Sequence, residues 1–198
     1  MGLTQFIPKR DKNDRLPPGQ YLTDDFPILS YSLTPEVSAA DWRLEIAGVA
    51  KPHSLSLDEL IKLGEAEFQA DIHCVTKWSK LDTNWKGVSL DKIIEISEVS
   101  PDAAYLIAYS YDDYTTNLPL IDLRDGKAFI AYEYNGKPLD ATHGGPVRLV
   151  VPHLYFWKSA KWLKKIEFTK GDQQGFWERH GYHNYGDPWK EQRYNSDI

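Results

Sequence analysis

Asp71-Ile72-His73-Cys74-Val75-Thr76-Lys77-Trp78-Ser79 holds the only cysteine among 198 residues. A lone thiol cannot close an intramolecular disulfide. Three roles are left: a small buried hydrophobe, a nucleophile, or a ligand to a soft metal centre. A hydrolytic nucleophile needs a histidine base within reach. His73 adjoins Cys74, but neighbouring side chains on a strand point to opposite faces, so His143 or His153 would have to serve. As a metal ligand, one thiolate is too little for an iron–sulfur cluster or a Cys-rich zinc site. It suffices where a cofactor brings the other ligands.

Working outward, Phe68 to Cys74 reads as a strand that delivers the thiol to its end. Upstream, Trp42, Leu44 and Ile46 alternate with Arg43 and Glu45, the period-two pattern of a half-buried strand. Ser56-Leu57-Asp58-Glu59 has the form of a capping box. It predicts a short helix burying Leu57, Leu60, Ile61 and Leu63, stopped at Gly64. A second short helix is expected at Leu90–Ile94. Strands are expected at Tyr105–Ser110, at Ala128–Tyr134 running into an Asn135-Gly136 hairpin turn, at Pro146–Val151 and at Ile166–Phe168. The sum is an α+β, β-rich fold with few, short helices.

Three segments are expected. Residues 1–24 are polar and form a mobile or surface-draped N-terminal arm. Residues 25–170 form the domain, entered as extended chain because Pro27 holds Phe26 out of helical dihedrals. Residues 171–198 carry Phe176, Trp177, Tyr182, Tyr185 and Trp189, and so many rings predict a tail packed on the domain.

The net charge of −6 argues against a general nucleic-acid binder. No apolar run is long enough for a membrane span. The first residues show no apolar export region and no twin arginines, so a cytoplasmic protein with a reduced thiol is expected. Arg148, Lys158, Lys161, Lys164 and Lys165 fall in one interval without Asp or Glu. The interval reads either as a solvated cationic face or as an anion site, with Gly144-Gly145 before it letting backbone approach a ligand. Tyr109 to Leu120 offers hydroxyls to a polar pocket or satisfies its own turn. His180 and His183, three apart with no obvious third ligand, read as non-metal residues.

Two motifs together resemble the molybdenum-cofactor domain of the sulfite oxidase family. The first is His73-Cys74-Val75-Thr76-Lys77-Trp78-Ser79 with Trp85-Lys86-Gly87-Val88. The second is Gly144-Gly145-Pro146-Val147-Arg148-Leu149-Val150-Val151-Pro152 with Lys158-Ser159-Ala160-Lys161-Trp162. Their order and spacing are similar to those of the catalytic subunit of periplasmic methionine-sulfoxide reductase, over roughly residues 20 to 170. The resemblance implies the sulfite-oxidase-type fold with mixed sheets. It implies a Mo-molybdopterin cofactor (the molybdenum cofactor) whose metal is bound by Cys74. Ser110, His143, Arg148, Ser159, Ala160 and Lys161 fall on cofactor-binding positions. Leu29 falls where animal sulfite oxidases carry an arginine, and His143 where the family has an amide. The implied chemistry is oxygen-atom transfer on a small sulfur or nitrogen oxo substrate, with Tyr114, Tyr109 or Tyr111 hydrogen-bonding that substrate. Electrons would pass to or from a separate partner, a cytochrome or another redox protein. A cysteine–histidine hydrolase and a non-catalytic member of the same fold are the competing readings.

Overall fold

The Cys74 stretch is the tip of a long β-hairpin in the computed structural model, which describes residues 13–197. Its arms are Glu65–His73 and Trp78–Ser89. Cys74 N donates to Trp78 O at 2.8 Å, and Lys77 N donates to Cys74 O at 3.0 Å. Lys77 stands at φ 77°, the left-handed residue that ends a three-residue hairpin loop.

In chain order the strands are β1 (Tyr21–Leu22), β2 (Arg43–Ala47), β3 (His53–Ser56), β4 (Glu65–His73), β5 (Trp78–Ser89), β6 (Tyr105–Ser110), β7 (Thr115–Pro119), β8 (Phe129–Tyr134), β9 (Lys137–Pro138), β10 (Arg148–Val150) and β11 (Leu163–Thr169). The α-helices are α1 (Leu57–Lys62), α2 (Leu90–Ile96) and α3 (Phe176–Arg179). One mixed sheet is organised on β5. β4 runs antiparallel along one edge, while β1, parallel, and β8, antiparallel, share the other at opposite ends. β8 continues this sheet to β10 and forms the hairpin with β9. The second sheet has the order β3-β2-β11-β6-β7, with β2 and β11 parallel.

The local chemistry explains these elements. Trp42, Leu44 and Ile46 are buried while Arg43 and Glu45 are exposed, as the alternation predicts. Ser56 and Glu59 close the capping box of α1, with Ser56 N on Glu59 Oε2 at 2.8 Å and Glu59 N on Ser56 Oγ at 3.3 Å. Leu60 is the residue this helix buries fully; Leu57, Ile61 and Leu63 are partly buried against the same core. Asn135 and Gly136 both take positive φ, 49° and 71°, as a type I′ turn requires. β8 is buried on both faces. Ile130 and Tyr132 enter the main core between the sheets, whereas Phe129 and Ala131 enter a second cluster with Ile72, Cys74, Trp78, Trp85, Val150 and Phe156. The functional end is built on this second cluster.

Four strands, β1, β3, β5 and β7, were not read from the sequence. β5 carries Lys80, Asp82, Asn84 and Lys86 and turns through a positive φ of 55° at Asp82, so no clean alternation marks it. β7 reads as a polar turn but pairs with β6 along its length. Gly87 is required where β5 shifts register against β8, because a Cβ there would lie 2.2 Å from Ile130 O.

Residues 1–12 of the expected arm lie outside the described residues. From residue 13 onward the chain is fastened. Arg15 pairs with Asp71 and Asp82, and Tyr21–Leu22 extend the sheet beside Trp78 and Ser79. The segment after residue 171 returns to the hairpin tip, where Arg193 donates to Val75 O at 2.9 Å. Among the described residues no helix is long and apolar enough to cross a membrane.

Candidate active site

A cavity of about 270 Å³ opens at the hairpin tip. The hairpin contributes Cys74, Thr76 and Trp78. The β6–β7 turn contributes Ser110, Asp112 and Tyr114. The loop before β10 and its first residue contribute His143 and Arg148. The segment before β11 contributes Phe156, Trp157, Ser159, Lys161 and Trp162. Phe26, Leu29 and Tyr31 form one wall, and Trp177 and Tyr182 from the C-terminal segment form another.

Seven of the eight site residues expected from sequence thus meet in one cavity although they are spread from 74 to 161. Ala160 does not line it. Its side chain is in the main core and its carbonyl accepts from Leu149 N at 2.9 Å. The tyrosine expectation narrows as well. Tyr109 Oη donates to Glu167 at 2.8 Å, and Tyr111 Oη is bonded to the Arg43 backbone; neither lines the cavity. Tyr114 does, but its hydroxyl donates to Trp157 O at 2.6 Å, so its proton is committed to the protein.

Cys74 is 8% exposed. Burial pushes its thiol pKa up, against hydrogen bonds from Thr76 and the Val75 and Thr76 backbone. Thr76 Oγ1 donates to Sγ at 3.1 Å. Behind the sulfur, His73 Nδ1 meets Ser79 Oγ at 2.8 Å, and burial drives this imidazole down to about 4. His73 therefore stays neutral and supports the hairpin. It does not face the cavity. His143 does, but its Nδ1 contacts Asp140 Oδ2 at 2.7 Å and its Nε2 contacts Phe26 O at 2.9 Å, with Phe26 stacked on the ring at 4.1 Å. Burial works against the Asp140 charge, but bonds from Thr142 and His143 outweigh it and hold the carboxyl at about 2. No described imidazole is thus placed to activate Cys74 as a hydrolytic nucleophile.

The basic interval divides. Lys158 is buried against Glu178 at 2.6 Å, Lys165 pairs with Glu167, and Lys164 lies over the Tyr111 ring. Arg148 and Lys161 face the cavity. The Arg148 guanidinium is buried, with its donors on the carbonyls of His143, Ser159 and Leu149. Among the described residues it forms no ion pair, and burial lowers it to about 9 against the Asp140 charge. Lys161 donates to Ser30 Oγ and Thr142 O, and burial, helped by Arg148, lowers it to about 8. The glycines beside this pair serve the chain itself. A Cβ on Gly144 would fall 2.9 Å from Lys161 Cβ, and one on Gly145 would fall 2.0 Å from Leu139 O.

These features fit an anionic, hydrogen-bonding cofactor. A buried cation without a directly paired carboxylate is costly, and an anion in the cavity offsets that cost. Two donors on cavity-lining residues, Ser110 Oγ and Trp78 Nε1, are buried without a partner, which native folds rarely leave so. Residue type alone could have flagged Arg148, Lys161 and Ser110. Phe26, Trp177 and Tyr182 were not identifiable as cavity residues, because only the return of both terminal segments brings them there.

The model of the oxidoreductase molybdopterin binding domain matches residues 31–177. An uncharacterised oxidoreductase, YuiH of Bacillus subtilis, is 46% identical over 94% of this chain and 96% of its own length. The protein-methionine-sulfoxide reductase catalytic subunit MsrP of Campylobacter jejuni is 31% identical over 78% of this chain and 58% of its own. Mitochondrial sulfite oxidase of Drosophila melanogaster is 27% identical over 81% of this chain, which spans only 33% of that protein. The structure of sulfane dehydrogenase SoxCD from Paracoccus pantotrophus shares the fold, with a TM-score of 0.64 at 23% identity over 70% of this chain and 41% of that one. With its β-rich mixed-sheet fold, the chain belongs to the molybdopterin-binding oxidoreductases of the sulfite oxidase and methionine-sulfoxide reductase type.

Proposed function

We propose that Cys74 is the protein ligand to the molybdenum of this cofactor, and that the enzyme transfers an oxygen atom to or from a small sulfur or nitrogen oxo substrate. The observation that carries the cofactor assignment is the buried Arg148 guanidinium beside Lys161, without a carboxylate partner, in the same cavity as the lone thiol. When bound, the cofactor supplies two-electron chemistry and oxygen-atom exchange. The chain's own part is to hold and tune it. Arg148 and Lys161 neutralise the anionic portion. Ser110 and Trp78, which line the cavity, would lie beside it. Phe26, Phe156 and Trp157 restrict water at the reacting end. Tyr114 keeps the Trp157 loop in place through its bond to the Trp157 carbonyl. With a single cysteine and no haem motif in the sequence, electrons pass to or from a separate redox protein, such as a cytochrome.

The test is elemental analysis of protein produced with molybdate, beside pterin fluorescence after acid release. Stoichiometric molybdenum that is lost in Cys74→Ser supports the reading. Metal-free protein that remains active refutes it. Sulfite with an electron acceptor, run against sulfoxides and N-oxides with a reduced dye, then gives the substrate and direction.

A further inference from the structure

We propose that the exposed apolar face of residues 28–33, at the rim of the cavity, is the docking surface for a one-electron carrier protein whose redox group opens on an apolar face rimmed by lysine and arginine. The inference rests on the oxygen-atom-transfer reading above.

That chemistry moves two electrons. Substrate and water give the oxidised product, two protons and two electrons, and the opposite direction consumes the same. A one-electron carrier therefore meets the enzyme twice in each turnover, once per electron.

The segment between β1 and β2 holds no regular secondary structure, yet it is fastened. Phe26 O contacts His143 Nε2, Ser30 Oγ accepts from Lys161 Nζ, and Tyr31 Oη and Ser32 Oγ donate to Asp112 O and Oδ2. Ile28 and Leu33 do not line the cavity and are 58% and 91% exposed, and Leu29 lines it while still 48% exposed. Large aliphatic side chains left together in water, on a loop held in place, mark an interaction site.

The charge around this face has one sign. From Leu16 to Trp42 the chain carries Asp24, Asp25, Glu36 and Asp41 and no lysine, arginine or histidine. Asp113 is exposed on the β6–β7 turn, next to the Asp112 that holds Tyr31 and Ser32. Lys80 and Lys161 reach the segment, but they bond the Asp24 carbonyl and the Ser30 hydroxyl rather than its carboxylates. An apolar centre with a charged rim is the anatomy of a protein interface. The acidic rim disfavours an anionic lipid surface and steers a basic protein. So small a centre suits the brief encounters of electron transfer, which bury less than about 1,200 Å². Leu29 and Tyr31 also line the cavity that holds Cys74, so a carrier seated here rests against the wall of the cofactor site.

The experiment takes the molybdenum-loaded enzyme, reduced with dithionite and freed of excess, and mixes it anaerobically with ferricytochrome c, a basic haem protein. Haem reduction is followed against ionic strength. Reduction of benzoquinone, small and uncharged, is the control, and molybdenum is measured in each sample. The wild-type rate with cytochrome c is expected to fall as salt rises. Asp24→Asn/Asp25→Asn/Asp113→Asn is expected to lower that rate about tenfold at low salt and to flatten its salt dependence. Leu33→Ser is expected to lower it several-fold with the salt dependence kept. Both variants should reduce benzoquinone as the wild type does. A wild-type rate that does not fall with salt, or a wild-type rate with cytochrome c in either loaded variant, overturns the proposal. So does an equal loss with benzoquinone, which places the defect in the cofactor site. An enzyme that is dimeric in light scattering and becomes monomeric in Leu33→Ser overturns it in favour of a second copy of this chain. Molybdenum-free protein that still transfers oxygen refutes instead the reading on which the proposal rests.

Discussion

The two buried cations of the basic interval, Lys158 and Arg148, should respond in opposite ways to the same substitution by methionine. Lys158 Nζ bonds Asn117 O and Oδ1, Asn184 O and Glu178 Oε1, and both members of the ion pair have fully buried side chains. Removing the lysine leaves the Glu178 carboxylate buried with only Trp157 Nε1 and Thr116 Oγ1. Breaking one side of such a pair costs about 3–5 kcal/mol, a fall in Tm of roughly 6–20 °C for a chain of this length. Arg148→Met strands no opposite charge. Burial lowers the guanidinium to about 9, which corresponds to roughly 5 kcal/mol of desolvation borne by the ligand-free protein. The substitution relieves that cost and loses three bonds to carbonyls, each worth about 1–3 kcal/mol. At about 2 kcal/mol each the lost bonds slightly exceed the relief, so stability should fall by about 1 kcal/mol, within limits of a gain of about 2 and a loss of about 4 kcal/mol. Cofactor retention should move the other way. Arg148→Met loses molybdenum and pterin, whereas Lys158→Met that still folds keeps them. Thermal melts of cofactor-free protein and metal analysis of protein produced with molybdate read the two effects. Arg148→Met that is destabilised as far as Lys158→Met, or that holds its full molybdenum, refutes the view of Arg148 as a cation awaiting an anion.

Two further outcomes follow from the same geometry. Burial and neighbouring Arg148 push Lys161 down to about 8. A depressed amine is charged below that value and neutral above it, so binding of inorganic phosphate, read by tryptophan fluorescence, should weaken from about pH 7 to about pH 9; Lys161→Met should bind weakly at both, and an unchanged profile would count against the role. Ligand-free stability should carry the opposite slope, rising above pH 8 as the amine sheds the charge that the fold disfavours. Gly87→Ala forces a Cβ into the Ile130 carbonyl and should lower stability by about 1–3 kcal/mol in a denaturant titration, without altering Cys74 itself.

How much was legible depended on whether the relevant physics was local. The alternation of Trp42 to Ile46, the Ser56–Glu59 box and the Asn135-Gly136 turn are short-range patterns, and each appears in the structure as read. So does the delivery of Cys74 to a strand end. The lone thiolate and the basic interval allowed an anionic cofactor with its own ligands but left a buried thiol and a solvated cationic face open, and the resemblance to the sulfite oxidase family joined the two. What sequence did not contain was the sorting of that interval. Arg148 and Lys158 are equally basic, yet one faces the cavity and the other is neutralised by Glu178, a partner twenty residues on that packing alone brings near. The glycines of the His143 loop looked like room for a ligand but make room for Lys161 and Leu139. Most of all, the two chain ends read as an arm and an aromatic tail. Only in the fold do Gln20 and Arg193 meet across 173 positions at the carbonyls of Cys74 and Val75. Local sequence determines backbone conformation because it acts through adjacent dihedrals and side chains. Which donors reach the peptide groups beside a given sulfur is decided by tertiary closure, where residues distant in the chain share one desolvated volume.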